Sequence, residues 1–141
     1  MNEDKQAGSS LGRCILAGLI AGAVSALLAN LACLVLTRQF NQTFDQLNWF
    51  SISRAAMISC VGGAFVYVGL LRWTNRPVIW FVVLGLAVAA LDSIVVSMHP
   101  PSAGIDRVAN PLHFVVALTA LVLIPILAPA LPQPMDKGVQ R

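Results

Sequence analysis

Apolar residues run through this chain in four long stretches, each closed by charge, proline or both. Between Arg13 and Arg38, the run over residues 14–37 admits only Ser25 and Asn30 as polar members before its end. A second run, residues 51–71, stops at Arg72. A third follows Arg76-Pro77 and continues to Met98, where His99-Pro100-Pro101 closes it. The fourth covers residues 110–131, with Pro125 and Pro129 near its far end, where they are expected to kink or fray a helix. Each run is about 20 residues, the length an α-helix needs to cross a bilayer core. The runs are continuous and do not alternate with period two, which predicts helices and argues against barrel strands. Proline suits a first helical turn and a Pro-Pro pair cannot continue a helix, so the boundaries at Pro77 and Pro100-Pro101 have a mechanism.

The expected fold is therefore all-α: an integral membrane four-helix bundle running up-down-up-down. Its transmembrane domain covers residues 13–131, between a polar tail at 1–12 and another at 132–141. Residues 72–76 make a tight turn, so the second and third helices are antiparallel neighbours. In the first long loop Phe40, Phe44 and Leu47 recur at helical spacing ahead of Trp49 and Phe50. That pattern predicts a short interfacial helix with its aromatics at headgroup level.

Composition narrows the class further. Hydrophobic residues make up 57% and charged residues 11%, against roughly 25% charge in soluble globular proteins. Mean hydropathy is +0.78, which leaves too little polar surface to coat a soluble particle. The net charge of +3 therefore reads as membrane anchoring and gives no reason to expect a nucleic-acid partner. Lys5, Arg13, Arg72, Arg76, Lys137 and Arg141 fall on one side of the predicted topology, and Arg38, Arg54 and Arg107 on the other. The excess on the first side predicts both termini in the cytoplasm of a cell whose inner membrane holds the bundle. The first run is longer than a signal-peptide core and reads as an uncleaved span.

Lipid removes most of the hydrophobic drive for helix association, so small residues mark the expected contacts. The first helix offers Gly18 and Gly22, extended by Ala26 and Asn30. The second offers Ala55, Ser59, Gly62, Gly63 and Gly69, the third Gly85 and Ala89, and the fourth Ala117 and Ala120 beside His113. These stripes are first of all the seams of a bundle, and secondarily suit a membrane-protein partner or a homo-oligomer.

Four polar residues fall in the outer half of the predicted bundle: Asn30, Arg54, Asp92 and His113. Asn30 and Asp92 lie about 10 Å and 9 Å below the outer helix ends, and Arg54 and His113 within about 5 Å. Asp92 is the one acid inside an apolar run, and an ionised carboxylate there is costly unless paired or protonated. Two accounts stand side by side. In one, Asp92 pairs with Arg54 while Asn30 and His113 complete the hydrogen bonding. In the other, Asp92 is a titrating or ligand-binding group in an outward-facing cavity.

Little else points to chemistry. Cys14, Cys33 and Cys60 form no CxxC and read as small buried hydrophobes. Two histidines cannot ligate the several haems of four-helix cytochromes, and no His, Cys and acid cluster has zinc spacing. There is no phosphate loop, HExxH or nucleophile elbow. No cofactor or metal is expected.

A polar, basic N-tail leads into an Ala/Leu-rich first helix with Asn30 in its outer half. The Arg72–Arg76 turn follows, and Pro111-Leu112-His113 opens the last run. Over residues 11–131 this pattern resembles an uncharacterised family of small bacterial four-helix membrane proteins. That resemblance implies architecture and no activity. Small multidrug transporters are also four-helix proteins, but they centre on an acid in the first helix, where this run has none. The leading expectation is a non-enzymatic structural or accessory membrane component. The alternatives are a small transporter or channel with a polar cavity around Asp92, and a membrane enzyme using Asp92 and His113.

Overall fold

A computed structural model describes residues 3–128, with side chains from Gly12 onward. Four α-helices follow one another: α1 (Glu3–Phe40), α2 (Trp49–Trp73), α3 (Pro77–Met98) and α4 (Asp106–Leu127). A single 3₁₀ turn, Asp45–Leu47, sits between α1 and α2, and no strand occurs among the described residues. All four helices are long and apolar enough to cross a membrane. The chain is an integral membrane four-helix bundle.

The helix ends differ from the sequence expectation in instructive ways. α1 is helical from Glu3, so the helix already begins within the expected polar tail, while its candidate membrane span is Gly12–Phe40. At the other end it runs on to Phe40, where Asn41 adopts a left-handed backbone (φ 51). There Gln42 N–H donates to the Thr37 carbonyl at 3.1 Å and Asn41 N–H to the Arg38 carbonyl at 3.3 Å. This is a Schellman ending with Asn in the place usually held by Gly.

The expected interfacial helix shrinks to the one 3₁₀ turn, because Phe40 belongs to α1 while Phe44 and Leu47 pack against the core. α2 starts two residues early, at Trp49, because the Asn48 side chain accepts from Ser51 N–H at 2.9 Å and caps the helix. α4 starts at Asp106, not near 110, which places Pro111 inside the helix. The carbonyl that Pro111 leaves without its helical partner is that of Arg107, an exposed first-turn residue, so the loss falls where other donors are available. Pro125 lies inside the last turn of α4. Residues 129–131, Pro129 and the C-terminal tail lie outside the described residues.

α1 packs along α2 and α4, α3 packs mainly on α4, and α1 and α3 stand across the bundle from each other. The buried positions of α1 from Gly12 onward are Cys14, Ala17, Gly18, Ala21, Gly22, Ser25, Ala26, Ala29 and Cys33, two adjacent rows that repeat at intervals of three and four on one face. They meet Ile52, Cys60 and Ala64 of α2. Gly18 and Gly22 allow that approach. A Cβ on Gly18 would stand 2.9 Å from Ala64 Cβ, and one on Gly22 would stand 2.7 Å from Met57 Sδ. Gly85 does the same for α3 and α4, since its Cβ would fall 2.6 Å from Leu121 Cδ2. Ala89 is buried nearby.

Gly62 and Gly69 depart from the expected seam. An added Cβ at either meets nothing within 4 Å. The contact face of α2 is rotated one residue, about 100°, from the expected stripe. Gly63, together with Ala55 and Ser59, borders a cavity instead.

Two cores result. One gathers Cys14, Ala17, Ala21, Cys60, Ala64, Tyr67, Phe81, Leu121 and Ile124 near the tight turn at 74–76. The other gathers Ala29, Cys33, Ile52, Val108 and Leu112 near the end that carries the two long loops. All three cysteines are buried in these cores.

Candidate functional site

α2 and α3 leave the tight turn together. They meet through the Tyr67 and Phe81 rings, packed edge-on at 5.1 Å between centroids. Beyond that contact, toward the two-loop end, they border a cavity of about 620 Å³. Ala55, Ser59, Gly63 and Val66 of α2 form one wall, and Leu84, Val88 and Asp92 of α3 the other. His113, Val116, Ala117 and Leu121 of α4 stand behind, and α1 contributes only Ala29. Phe81 and Leu121 belong both to the lining and to the core at the tight-turn end, so that core is the cavity's floor.

Arg54, Asp92 and His113 all line this cavity. Because α4 starts early, His113 lies seven residues into its helix, about 10 Å down and not the single turn expected. Asp92 is six residues before the end of α3, about 9 Å down, and Arg54 is five residues into α2, about 8 Å. The three share one level. Gln46 of the 3₁₀ turn and Ser51 join them at the same end.

The expected Arg54–Asp92 ion pair does not form among the described residues. The Arg54 guanidinium lies 5.9 Å from the centroid of the Phe50 ring one turn earlier on its own helix, a cation–π position. Asp92 is exposed and borders the cavity. Arg54 and Asp92 share a level without touching, because the α2–α3 gap separates them.

Asn30 stands apart from this group. Its amide donates to the Ala26 carbonyl at 2.7 Å and to Ser53 Oγ at 3.1 Å, tying α1 to α2. Another polar rung joins α3 and α4, where Asn110 Nδ2 donates to Ser97 Oγ at 3.0 Å. One turn deeper, His113 Nδ1 and Ser93 Oγ are buried without a hydrogen-bond partner.

Sequence reasoning did not single out Gln46 and Ser51 as lining residues. The signal lay in the spacing 51, 55, 59 and 63, a stripe of small and polar residues at intervals of four. Read as a packing seam, it turns out to be the wall of a cavity. The charged groups of the lining lie at the two-loop end, among Leu47, Ile52, Ala109 and Leu112, and from Val88 and Val66 down to Phe81 the lining is hydrocarbon. Among the described residues no three His, Cys, Asp or Glu side chains gather as a metal set.

No family model matches this chain, and no curated protein and no solved structure matches it either.

Proposed function

We propose that this protein is a non-enzymatic membrane component that holds an amphiphilic molecule in the cavity between α2, α3 and α4. In that role it is a small carrier, or an accessory subunit that presents its ligand to a partner. The observation that carries the reading is the sorting of the lining, with Arg54, Asp92 and His113 at one end and Val66, Leu84, Val88 and Phe81 toward the other. A few polar groups converging on an otherwise apolar pocket is the usual make-up of a small-molecule site. The floor of Phe81 and Leu121 favours a binding pocket over a continuous pore. An enzyme is less well supported, because among the described residues no nucleophile is hydrogen-bonded to His113, whose Nδ1 has no partner.

The distribution of Lys and Arg supports an orientation with both termini in the cytoplasm. The charged end of the cavity then faces the outer leaflet.

A photoactivatable fatty-acyl probe tests the reading. In detergent-purified protein the probe should crosslink to Val66, Leu84 and Val88 in preference to the exposed outer face of α1, such as Leu27 and Leu31. Even labelling of both faces would overturn it.

A further inference from the structure

We infer that the occupant of this cavity is a zwitterionic phospholipid with a primary amine, its phosphate set against Arg54 and its ammonium against Asp92. The inference rests on the amphiphile reading above and names the headgroup.

Its basis is a pair of opposite charges that line one cavity at one depth without forming an ion pair among the described residues. Each charge lies about 8–9 Å in from its helix end, where an ionised side chain is costly unless something answers it. The Phe50 ring answers Arg54 in part, while Asp92 has no cation on it among the described residues. The ligand classes differ in how they treat this pair. An anionic lipid satisfies Arg54 and is repelled by Asp92. A cationic amphiphile does the reverse. A zwitterion brings one charge to each wall and adds no net charge to the site.

The chemistry of the lining selects among zwitterions. Recognition of a quaternary ammonium uses the faces of aromatic rings, and the phenyl ring in this lining, Phe81, is eleven residues from Asp92 along α3. A primary ammonium instead carries three N–H donors that a carboxylate accepts directly. On the other side, a guanidinium is the side chain best matched to phosphate oxygens. Gln46 Nε2, which gives one N–H to Ser102 Oγ at 3.2 Å, has a second N–H at the same end for a phosphate or ester oxygen, whereas the Ser51 hydroxyl is spent on the Gln46 and Asn48 carbonyls.

The tail fits as well. From Asp92 to Phe81 the α3 wall runs about 16 Å, and its Val88, Leu84 and Phe81 give an acyl chain an apolar path to the floor. The lining comes from α1, the 3₁₀ turn, α2, α3 and α4, and no described element covers the side between α2 and α3 that faces away from α4. A second acyl chain therefore lies in the bilayer beside the cleft.

The test is native mass spectrometry of the full chain, delipidated in mild detergent. Equal amounts of phosphatidylethanolamine, phosphatidylcholine and phosphatidylglycerol with matched acyl chains are then added. Wild-type protein should retain phosphatidylethanolamine about tenfold over phosphatidylglycerol, with phosphatidylcholine between them. Asp92→Asn should bring the ethanolamine and glycerol lipids to about equal retention, while Asp92→Glu keeps the preference and serves as the folding control. Arg54→Gln should lower the retention of all three. Equal binding of the three lipids by wild-type protein, or a preference unchanged in Asp92→Asn, overturns the headgroup assignment. A lipid-free dimer overturns it too, by putting a second copy in the cleft. Selective acyl-probe labelling of the cavity walls that persists alongside equal lipid binding would sink the headgroup and leave the amphiphile site standing.

Discussion

α2 meets its two sequence neighbours on very different terms. Toward α1 it presents Cys60 and Ala64, both buried, against a stripe of alanine, glycine, serine and cysteine. The helices come so close that Gly18 has no room for a methyl group beside Ala64. Toward α3, joined to it by the shortest connection in the chain, α2 presents Ala55, Ser59, Gly63 and Val66 and leaves a cavity. α3 replies with larger residues, Leu84 and Val88, and is held by α4 through Gly85 and Leu121. Only 11% of an apolar 18-residue stretch of it is buried inside the protein, against 28% for α1, so it is the outlying helix. In water, the hydrophobic effect would drive such a gap shut. In a bilayer, lipid chains compete on equal terms with apolar side chains, and helices adhere where both surfaces are small enough for close packing. A short loop brings two helices side by side without packing them.

The largest effect should come from spoiling the tight side of this comparison. Gly18→Val or Gly22→Val forces branched carbons into contacts already near 3 Å. Each should destabilise the bundle by about 1–3 kcal/mol, the usual cost of overpacking, measured by thermal unfolding in detergent. Ser59→Leu enlarges a side chain on the open side of the same helix, where it enters the cavity. Its stability should stay within about 0.5 kcal/mol of wild type, while cavity labelling by the acyl probe falls at least about tenfold. If the glycine variants and Ser59→Leu destabilise alike, the contrast between the two faces is wrong.

The sequence made the four spans legible because an apolar run of about 20 residues has few other uses. It did not reveal the rotation of α2, for a physical reason. A membrane helix is apolar toward lipid and toward its neighbours alike, so the polarity contrast that fixes the inward face of a soluble helix is missing. Ala55, Ser59 and Gly63 formed one plausible seam, Ala56, Cys60 and Ala64 another, and only the partner helix chooses between them. The start of α4 was hidden by Pro111. Proline favours a first turn, but it is also tolerated at the sixth position when the orphaned carbonyl belongs to an exposed residue such as Arg107. The candidate site was legible as a set of residues in the outer half and not as an arrangement. Helix register put Asp92 about 9 Å down but Arg54 and His113 only about 5 Å, and it took the early starts of α2 and α4 to bring them to a similar depth.

Smaller changes sharpen the same contrast. Gly62→Ala places a methyl where nothing lies within 4 Å, so it should be tolerated and should raise stability by up to about 1 kcal/mol through helix propensity. Destabilisation there would mean that the expected seam is used after all. Asn30→Ala removes the one side-chain hydrogen bond from α1 to Ser53. The loss should be about 0.6 kcal/mol, the average for such bonds between membrane helices, and smaller than that of either glycine variant.

The smallest effect bears most directly on the open side. If Arg54 and Asp92 were an ion pair, removing either partner would strand the other, and the double variant would recover part of the loss. The cavity separates them, so in delipidated protein the changes from Arg54→Gln and Asp92→Asn should add, with a coupling energy under about 0.5 kcal/mol. Asp92→Asn alone should leave thermal stability equal or slightly higher, since it removes a charge that no described cation answers. The same double-mutant cycle repeated with saturating phosphatidylethanolamine carries a different expectation. A ligand that touches both walls makes each residue's contribution depend on the other, so coupling should rise above that threshold. Strong coupling in the delipidated protein would mean that the two side chains reach each other directly. The gap between α2 and α3 would then close on an ion pair and hold no ligand.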